Sequence, residues 1–200
     1  MRVSTPDSAV NNALVESRID SQSVYRGSFL ELRRDRVLLP DGTESAREYI
    51  VHPGAAVMVP LLDDGSVLIE RQFRYPVGQV FVEVPAGKRD PGESFIATAQ
   101  RELLEETGYE AAEWAYLTRL HPAIGFADEV LEIFLCRGLR FVGRRLDDGE
   151  FLETETVTVE WMLEAVRAGQ LTDVKTQIVA FWLDRLRSGA WPWPEFATVP

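Results

Sequence analysis

Residues 80–109, VFVEVPAGKRDPGESFIATAQRELLEETGY, run from a strand pattern through a glycine-bearing loop into a helix that stops at Gly108. Ile96, Ala99 and Leu103 recur at helical apolar spacing. Ser94 or Glu93 stands where an N-cap is wanted, and Gly108 suits a left-handed C-cap. The last full turn carries Glu102, Glu105 and Glu106. Residues three and four apart are neighbours on a helix face, so like charges there repel by roughly 0.2–0.5 kcal/mol per pair, and the negative end of the helix dipole adds to the cost. Such a cluster is either a solvated acidic surface or the seat of a cation. A hard divalent ion such as Mg²⁺ takes carboxylate oxygens, keeps several waters and is commonly shared with substrate phosphates. Three glutamates beside a loop that can offer a backbone carbonyl supply that chemistry.

The rest of the chain reads mainly as strands. From Val24, SVYRGSFLELRRDRVLLPDGTESAREYIVH alternates apolar and polar residues around a PDG turn at Pro40 to Gly42, which predicts an antiparallel meander of two or three strands. AAVMVPLL, DDGS and VLIERQFR spell a hairpin, and VFVEVP is a further strand. After the helix, AEWAYLTRLHP, EVLEIFLCRGLRFV and ETVTVEWML are strand-like. TQIVAFWLDRLRSG is an amphipathic helix with Ile178, Phe181, Trp182 and Leu186 on one side. Strands on both sides of a central helix, with another helix at the end, suggest a mixed sheet between helices.

A chain of 200 residues can bury the core of one domain. No apolar run approaches the roughly 20 residues that span a bilayer, and the first 20 residues lack a secretory apolar core, so the expectation is a cytoplasmic protein with no membrane partner. The single cysteine, Cys136, excludes an internal disulfide and a cysteine metal cluster, and reads as core. With 32 acids against 21 bases the formal charge is −11, which opposes binding to long nucleic acids. A small anion bridged by a divalent cation remains compatible with it.

The quoted segment resembles the signature box of the Nudix hydrolases: Gly, five residues, Glu, seven residues, then Arg-Glu-hydrophobic-any-Glu-Glu-any-Gly-hydrophobic. Gly87, Glu93, RELLEE from Arg101 to Glu106, Gly108 and Tyr109 fill every specified position. The resemblance implies an α/β fold, a mixed β-sheet in an α/β/α sandwich, that hydrolyses a nucleoside diphosphate joined to another group. It implies Mg²⁺, with Mn²⁺ able to replace it, held by Glu102 and Glu106 with help from Glu105 and the Ala86 carbonyl. Glu93 and Arg101 would pair to hold the loop against the helix.

The flanks narrow the resemblance. HPGA, RQFR and the lead EVPAG upstream, with PAIGFADE downstream, are similar to the ADP-ribose pyrophosphatase branch, over roughly residues 24–187. In that branch a small N-terminal antiparallel β subdomain is exchanged or packed across a homodimer. The implied organisation is a flexible tail over 1–22, a β-meander subdomain over 23–52, the hydrolase domain over 53–190 and a C-terminal tail over 191–200. A pyrophosphate needs a directional cation, and Arg74 is the choice, with a surface salt bridge as its alternative. Arg71 falls on the opposite strand face and reads as an ion-pair partner. Arg47 and Glu48 would approach the partner's substrate, and Tyr25 or Phe29 either stacks on adenine or packs in the core. The implied general base is a loop glutamate, Glu150 first and Glu153 second, with Glu129 as a third candidate better placed as a wall of the substrate site. The substrate expected is a nucleoside diphosphate sugar, ADP-ribose first; GDP-mannose or a silent ADP-ribose sensor are the alternatives.

Overall fold

A computed structural model describes residues 12–146 and 148–199. The described residues form two compact units, one of 12–52 with 123–129, the other of 53–122 with 130–146 and 148–199.

In the first unit, β1 (Ser17–Arg26), β2 (Glu31–Leu38) and β3 (Glu44–Val51) form an antiparallel sheet in that order. The PDG turn lies between β2 and β3, with Gly42 at φ 84°. The expected tail boundary at residue 22 is corrected: β1 starts at Ser17, while residues 1–11 of the predicted tail lie outside the described residues. SVYR at its end belongs to the predicted meander, but SRIDSQ before it carries only one apolar residue and so does not read as a strand; all ten residues of β1 are exposed. Backbone pairing with β2 and ion pairs such as Arg36 to Asp20 at 2.8 Å hold it instead. The segment 123–129 extends β3: Ile50 N donates to Phe126 O at 2.8 Å, and Asp128 Oδ1 accepts from His52 N at 2.8 Å.

The second unit contains β4 (Ala55–Pro60), β5 (Val67–Arg74), β6 (Gln79–Glu83), β7 (Ala86–Lys88), α1 (Phe95–Glu102), β8 (Tyr109–Leu120), β9 (Leu131–Phe141), β10 (Leu152–Val157), α2 (Val159–Arg167) and α3 (Val174–Arg187). One sheet has the order β7-β4-β9-β8, with β4 parallel to β9 and the other pairs antiparallel; a second has the order β10-β5-β6. All six residues of β4 are buried, as befits a strand covered on both faces. Ala56 and Met58 meet Ala99 and Leu103 on the side of α1, whereas Val57 and Val59 join Met162 of α2 and Leu183 of α3. This is the α/β/α sandwich with a mixed sheet. Cys136 is fully buried in the α1-side cluster.

Three expectations are corrected. AAVMVPLL and VLIERQFR are not a hairpin pair: β4 is flanked by β7 and β9, so after a single bridge at Leu61 and Val67 the strand β5 enters the other sheet. The strand read into ETVTVEWML ends at Val157, because Thr158 caps α2, its hydroxyl accepting from Trp161 N at 3.1 Å. The buried side of α3 is Val179, Ala180, Leu183 and Leu186, with Phe181 exposed. The C-terminal residues are docked: Trp114 and Ala197 exchange two backbone hydrogen bonds of 2.9 Å, and the Arg137 guanidinium lies 4.1 Å from the Phe196 ring centre.

Candidate active site

The glutamate-bearing helix starts where Ser94 Oγ accepts from Ala97 N at 3.3 Å and stops at Gly108 with φ 78°. Between them, Leu103–Thr107 widen into a π-helical turn, a distortion often found at functional sites. Gly87 on β7 lies against this helix so closely that a Cβ there would fall 1.9 Å from the carboxyl carbon of Glu102. That absence of a side chain lets the β7 backbone, including Ala86, approach Glu102. Arg101 ties loop to helix: its guanidinium reaches Glu93 at 2.9 Å, Glu102 at 2.8 Å and Glu105 at 2.9 Å, and donates to Lys88 O at 3.2 Å. The Glu93 carboxyl is thereby held down to about 2, chiefly by Arg101. Arg89 donates to Pro53 O at 2.9 Å and sits 4.7 Å from the Phe95 ring centre.

The second component is one face of the β10-β5-β6 sheet. Alternate residues of a strand share a face, and register partners share it too. Glu70, Gln72 and Arg74 of β5 therefore lie with Glu83 of β6, opposite Glu70, and with Leu152 and Thr154 of β10. Glu150, just before β10, joins them through a 3.3 Å hydrogen bond from Gln72 Nε2. The other face carries Arg71, opposite Glu153 in register and bonded to Glu155 at 2.7 Å. Glu153 is thus not brought to the helix glutamates, whereas Glu150 is. Arg74 grips Glu83 with two bonds of 2.7 and 2.9 Å, and Lys175 at the start of α3 also pairs with Glu83.

The electrostatics show a deficit of positive charge. Burial, opposed by Arg101, raises the Glu102 carboxyl to about 7. Burial and then the charges of Glu70, Glu102 and Glu150 push Glu106 well above the usual carboxylate range. Glu106 is 3% exposed and its Oε2 has no hydrogen-bond partner. Among the described residues no three carboxylate, imidazole or thiol side chains converge as a ready-made metal cage. The donor set still fits a divalent cation that keeps most of its waters: Glu102 and Glu106 lie near enough for the charge of one to act on the other, Glu106 has an orphaned buried oxygen, and a glycine cradle lies beside Glu102.

Sequence reasoning missed Glu70, Glu83 and Lys175. The signal for Glu70 was present, as the charged end of the apolar run VLIE on the same strand face as Arg74. Arg47, Glu48 and Glu129 belong to the N-terminal unit: Arg47 bonds Glu16 and Ser45, Glu48 lies 3.7 Å from Arg34, and Glu129 lies 3.6 Å from His52 Nδ1. Tyr25 and Phe29 are exposed there, so neither is a core residue of the single chain. A cavity of about 540 Å³ lined by Leu61, Glu113, Arg137, Val159, Trp193 and Phe196, among others, includes none of the glutamates of the acid face.

A family model described as NUDIX domain matches residues 52–176, and one described as nucleoside diphosphate sugar hydrolase N-terminal domain matches residues 16–50. The chain is similar to an ADP-ribose pyrophosphatase of Bacillus subtilis, 39% identical over 82% of this chain and 90% of that one. It is also similar to an ADP-ribose pyrophosphatase of Mycobacterium tuberculosis, 41% identical over 63% of this chain and 61% of the other. A methanol dehydrogenase activator of Bacillus methanolicus is 34% identical over 84% of this chain and 92% of its own length. Among solved structures, that of an ADP compounds hydrolase shares the fold, with a TM-score of 0.75 at 21% identity over 87% of this chain and 95% of that one.

Proposed function

The chain belongs to the Nudix family, and from that premise we propose that it hydrolyses the pyrophosphate of ADP-ribose or a related ADP-sugar to AMP and the sugar phosphate, with Mg²⁺ as cofactor and Mn²⁺ able to replace it. The observation that carries the reading is the cation-poor acid face: the charges of Glu102 and Glu150 help raise the carboxyl of Glu106, that of Glu150 helps raise Glu102, and Glu106 keeps an orphaned buried oxygen. Similarity to the two ADP-ribose pyrophosphatases supports the substrate class.

Glu102 and Glu106, with Glu105 and the Ala86 carbonyl at the rim, are the residues that would hold the metal. Bound there, the metal supplies charge neutralisation for the pyrophosphate and acidifies a water. Arg74, anchored by Glu83, presents its remaining N–H donors to a phosphate oxygen. Glu150, held by Gln72 and outside the metal-bearing helix, accepts the proton of the water that attacks the adenosyl phosphorus. As that P–O bond forms, the bond to the bridging oxygen breaks, and the leaving sugar phosphate keeps the electron pair. Glu153, on the opposite sheet face, takes no part.

No helix among the described residues is long and apolar enough to cross a membrane. The fully exposed β1, with Ile19, Val24 and Tyr25 at the surface, supports a homodimer; sedimentation as a monomer at micromolar concentration would remove that part of the reading. The test of function is Mg²⁺-dependent release of AMP from ADP-ribose against a panel of nucleotide sugars including GDP-mannose. Preferential turnover of ADP-ribose is expected; turnover of another sugar nucleotide reassigns the substrate, and binding without product makes the chain a sensor.

A further inference from the structure

Glu70 has no part in the scheme above, yet it is the most anomalous side chain of the unit. It is 0% exposed, and neither carboxylate oxygen has a hydrogen-bond partner. Its register partner on β6 is another acid, Glu83, an arrangement that is destabilising for like charges directly opposite each other. The nearby cations make no hydrogen bond to it: Arg74 pairs with Glu83, and Lys175 with Glu83 and Asp173. A buried carboxylate left this way costs the full desolvation of its charge unless something supplies a positive partner. Glu106 is near enough that Glu70 exerts on it the largest charge effect of any neighbour, and its Oε2 is orphaned as well. Three buried carboxylate oxygens from two elements thus lack donors in one region.

We propose that Glu70 is a metal ligand, sharing with Glu106 a divalent cation on the β5 side of the site. Two carboxylates, with water and a substrate phosphate completing the shell, are what a Mg²⁺-sized ion ordinarily takes from a protein. The same face carries Arg74, so a phosphate oxygen bound by this cation stands beside the guanidinium that the substrate reading requires. The competing fate of Glu70 is a permanently bound proton, since burial and Glu83 push its carboxyl up to about 8.

The inference rests on the metal-bearing reading of Glu106, and the experiment separates the two. Mn²⁺ is titrated by paramagnetic resonance into metal-free wild type, Glu70→Gln and Glu106→Gln at constant pH, and melting temperature is followed with and without Mn²⁺. Glu70→Gln is expected to weaken at least one Mn²⁺ site by about tenfold or more. It should also shrink the Mn²⁺-induced rise in Tm, with the metal-free Tm unchanged or higher. Unchanged Mn²⁺ stoichiometry and affinity in Glu70→Gln, with loss in Glu106→Gln, overturns the role of Glu70 and leaves the site intact. Unchanged binding in both variants overturns the metal reading itself. If Glu70→Gln does not fold, Glu70→Leu, which removes the charge with a strand-compatible apolar side chain, carries the same comparison.

Discussion

Two acid-rich regions of the chain are built on opposite principles. In the sheet of β1, β2 and β3, acids are answered locally: Glu31 by Arg26 and Arg33 at 3.1 Å, Asp20 and Glu44 by Arg36 at 2.8 and 3.3 Å, Glu48 by Arg34 at 3.7 Å. On the acid face, Glu70, Glu102, Glu105, Glu106 and Glu150 outnumber the cations, and two of them hold orphaned oxygens. The same residue type consequently shifts in opposite directions. Glu31 is held down to about 2 by Arg33 and Arg26, whereas Glu102 is raised to about 7 by burial. Paired acids at a surface serve pairing and solubility, while buried unpaired acids either hold a proton or await a cation that the chain itself does not supply.

The strongest way to break this contrast is to remove one of the unpaired charges. Glu106→Gln keeps the shape of the side chain and deletes the charge, so turnover is expected to fall by more than about 100-fold, beyond the loss typical of residues that merely support ligands. Circular dichroism should report an unchanged fold, and the metal-free protein should melt no earlier than wild type, because an uncompensated buried carboxylate is gone. Full activity in this variant would erase the distinction between the two regions. A smaller effect is expected from Gly87→Ala. No positive φ demands glycine here, so the backbone tolerates the change, but the new methyl displaces Glu102. Metal affinity and kcat/KM should each fall by about 10–100-fold, read by Mn²⁺ titration and steady-state kinetics.

How much of this was legible in advance follows from the range of the interactions. The helix from Ser94 to Gly108 was readable because capping and periodicity are local, and the box residues Gly87, Glu93 and Arg101 fall where their spacing places them. The partner of β5 was not readable: turn chemistry at Asp63 to Ser66 predicts a hairpin, but the burial of β4 between β7 and β9 decides the pairing. Thr158 hid the start of α2 because its strand-forming neighbours gave no period to distinguish the cap. Glu150 and Glu153 were ambiguous by count alone, and only register with β5 separates them, since a displacement of one residue would exchange the faces. Glu83 and Lys175 lie 92 residues apart, so no local pattern could join them.

The Arg101 web sharpens the comparison from within the site, because Glu93 is paired as the surface acids are. Its carboxyl lies at about 2 in the folded protein against an ordinary 4.5, with Arg101 as the main cause. A depressed carboxyl stabilises the fold above pH 4.5, and that contribution is lost as pH falls from 4.5 toward 2. Glu93→Gln is therefore expected to cost about 1.5 kcal/mol at pH 7, and the difference from wild type should vanish across that acid window in urea titrations. A difference that persists at the acid end would assign the loss to packing of the loop instead of to charge.

The smallest effect is the one that tests the other region. Glu48 and Arg34 face each other across β2 and β3 at 3.7 Å with both side chains more than half exposed. Water solvates each nearly as well as its partner does, and salt screens what remains, so Glu48→Gln should change stability by no more than about 0.5 kcal/mol. Chemical denaturation at low and at high salt measures this, and the two curves should differ little between variant and wild type. A loss of 2 kcal/mol or more would mean that the pair is desolvated in the assembled protein, and the N-terminal sheet would then share the buried character that distinguishes the acid face.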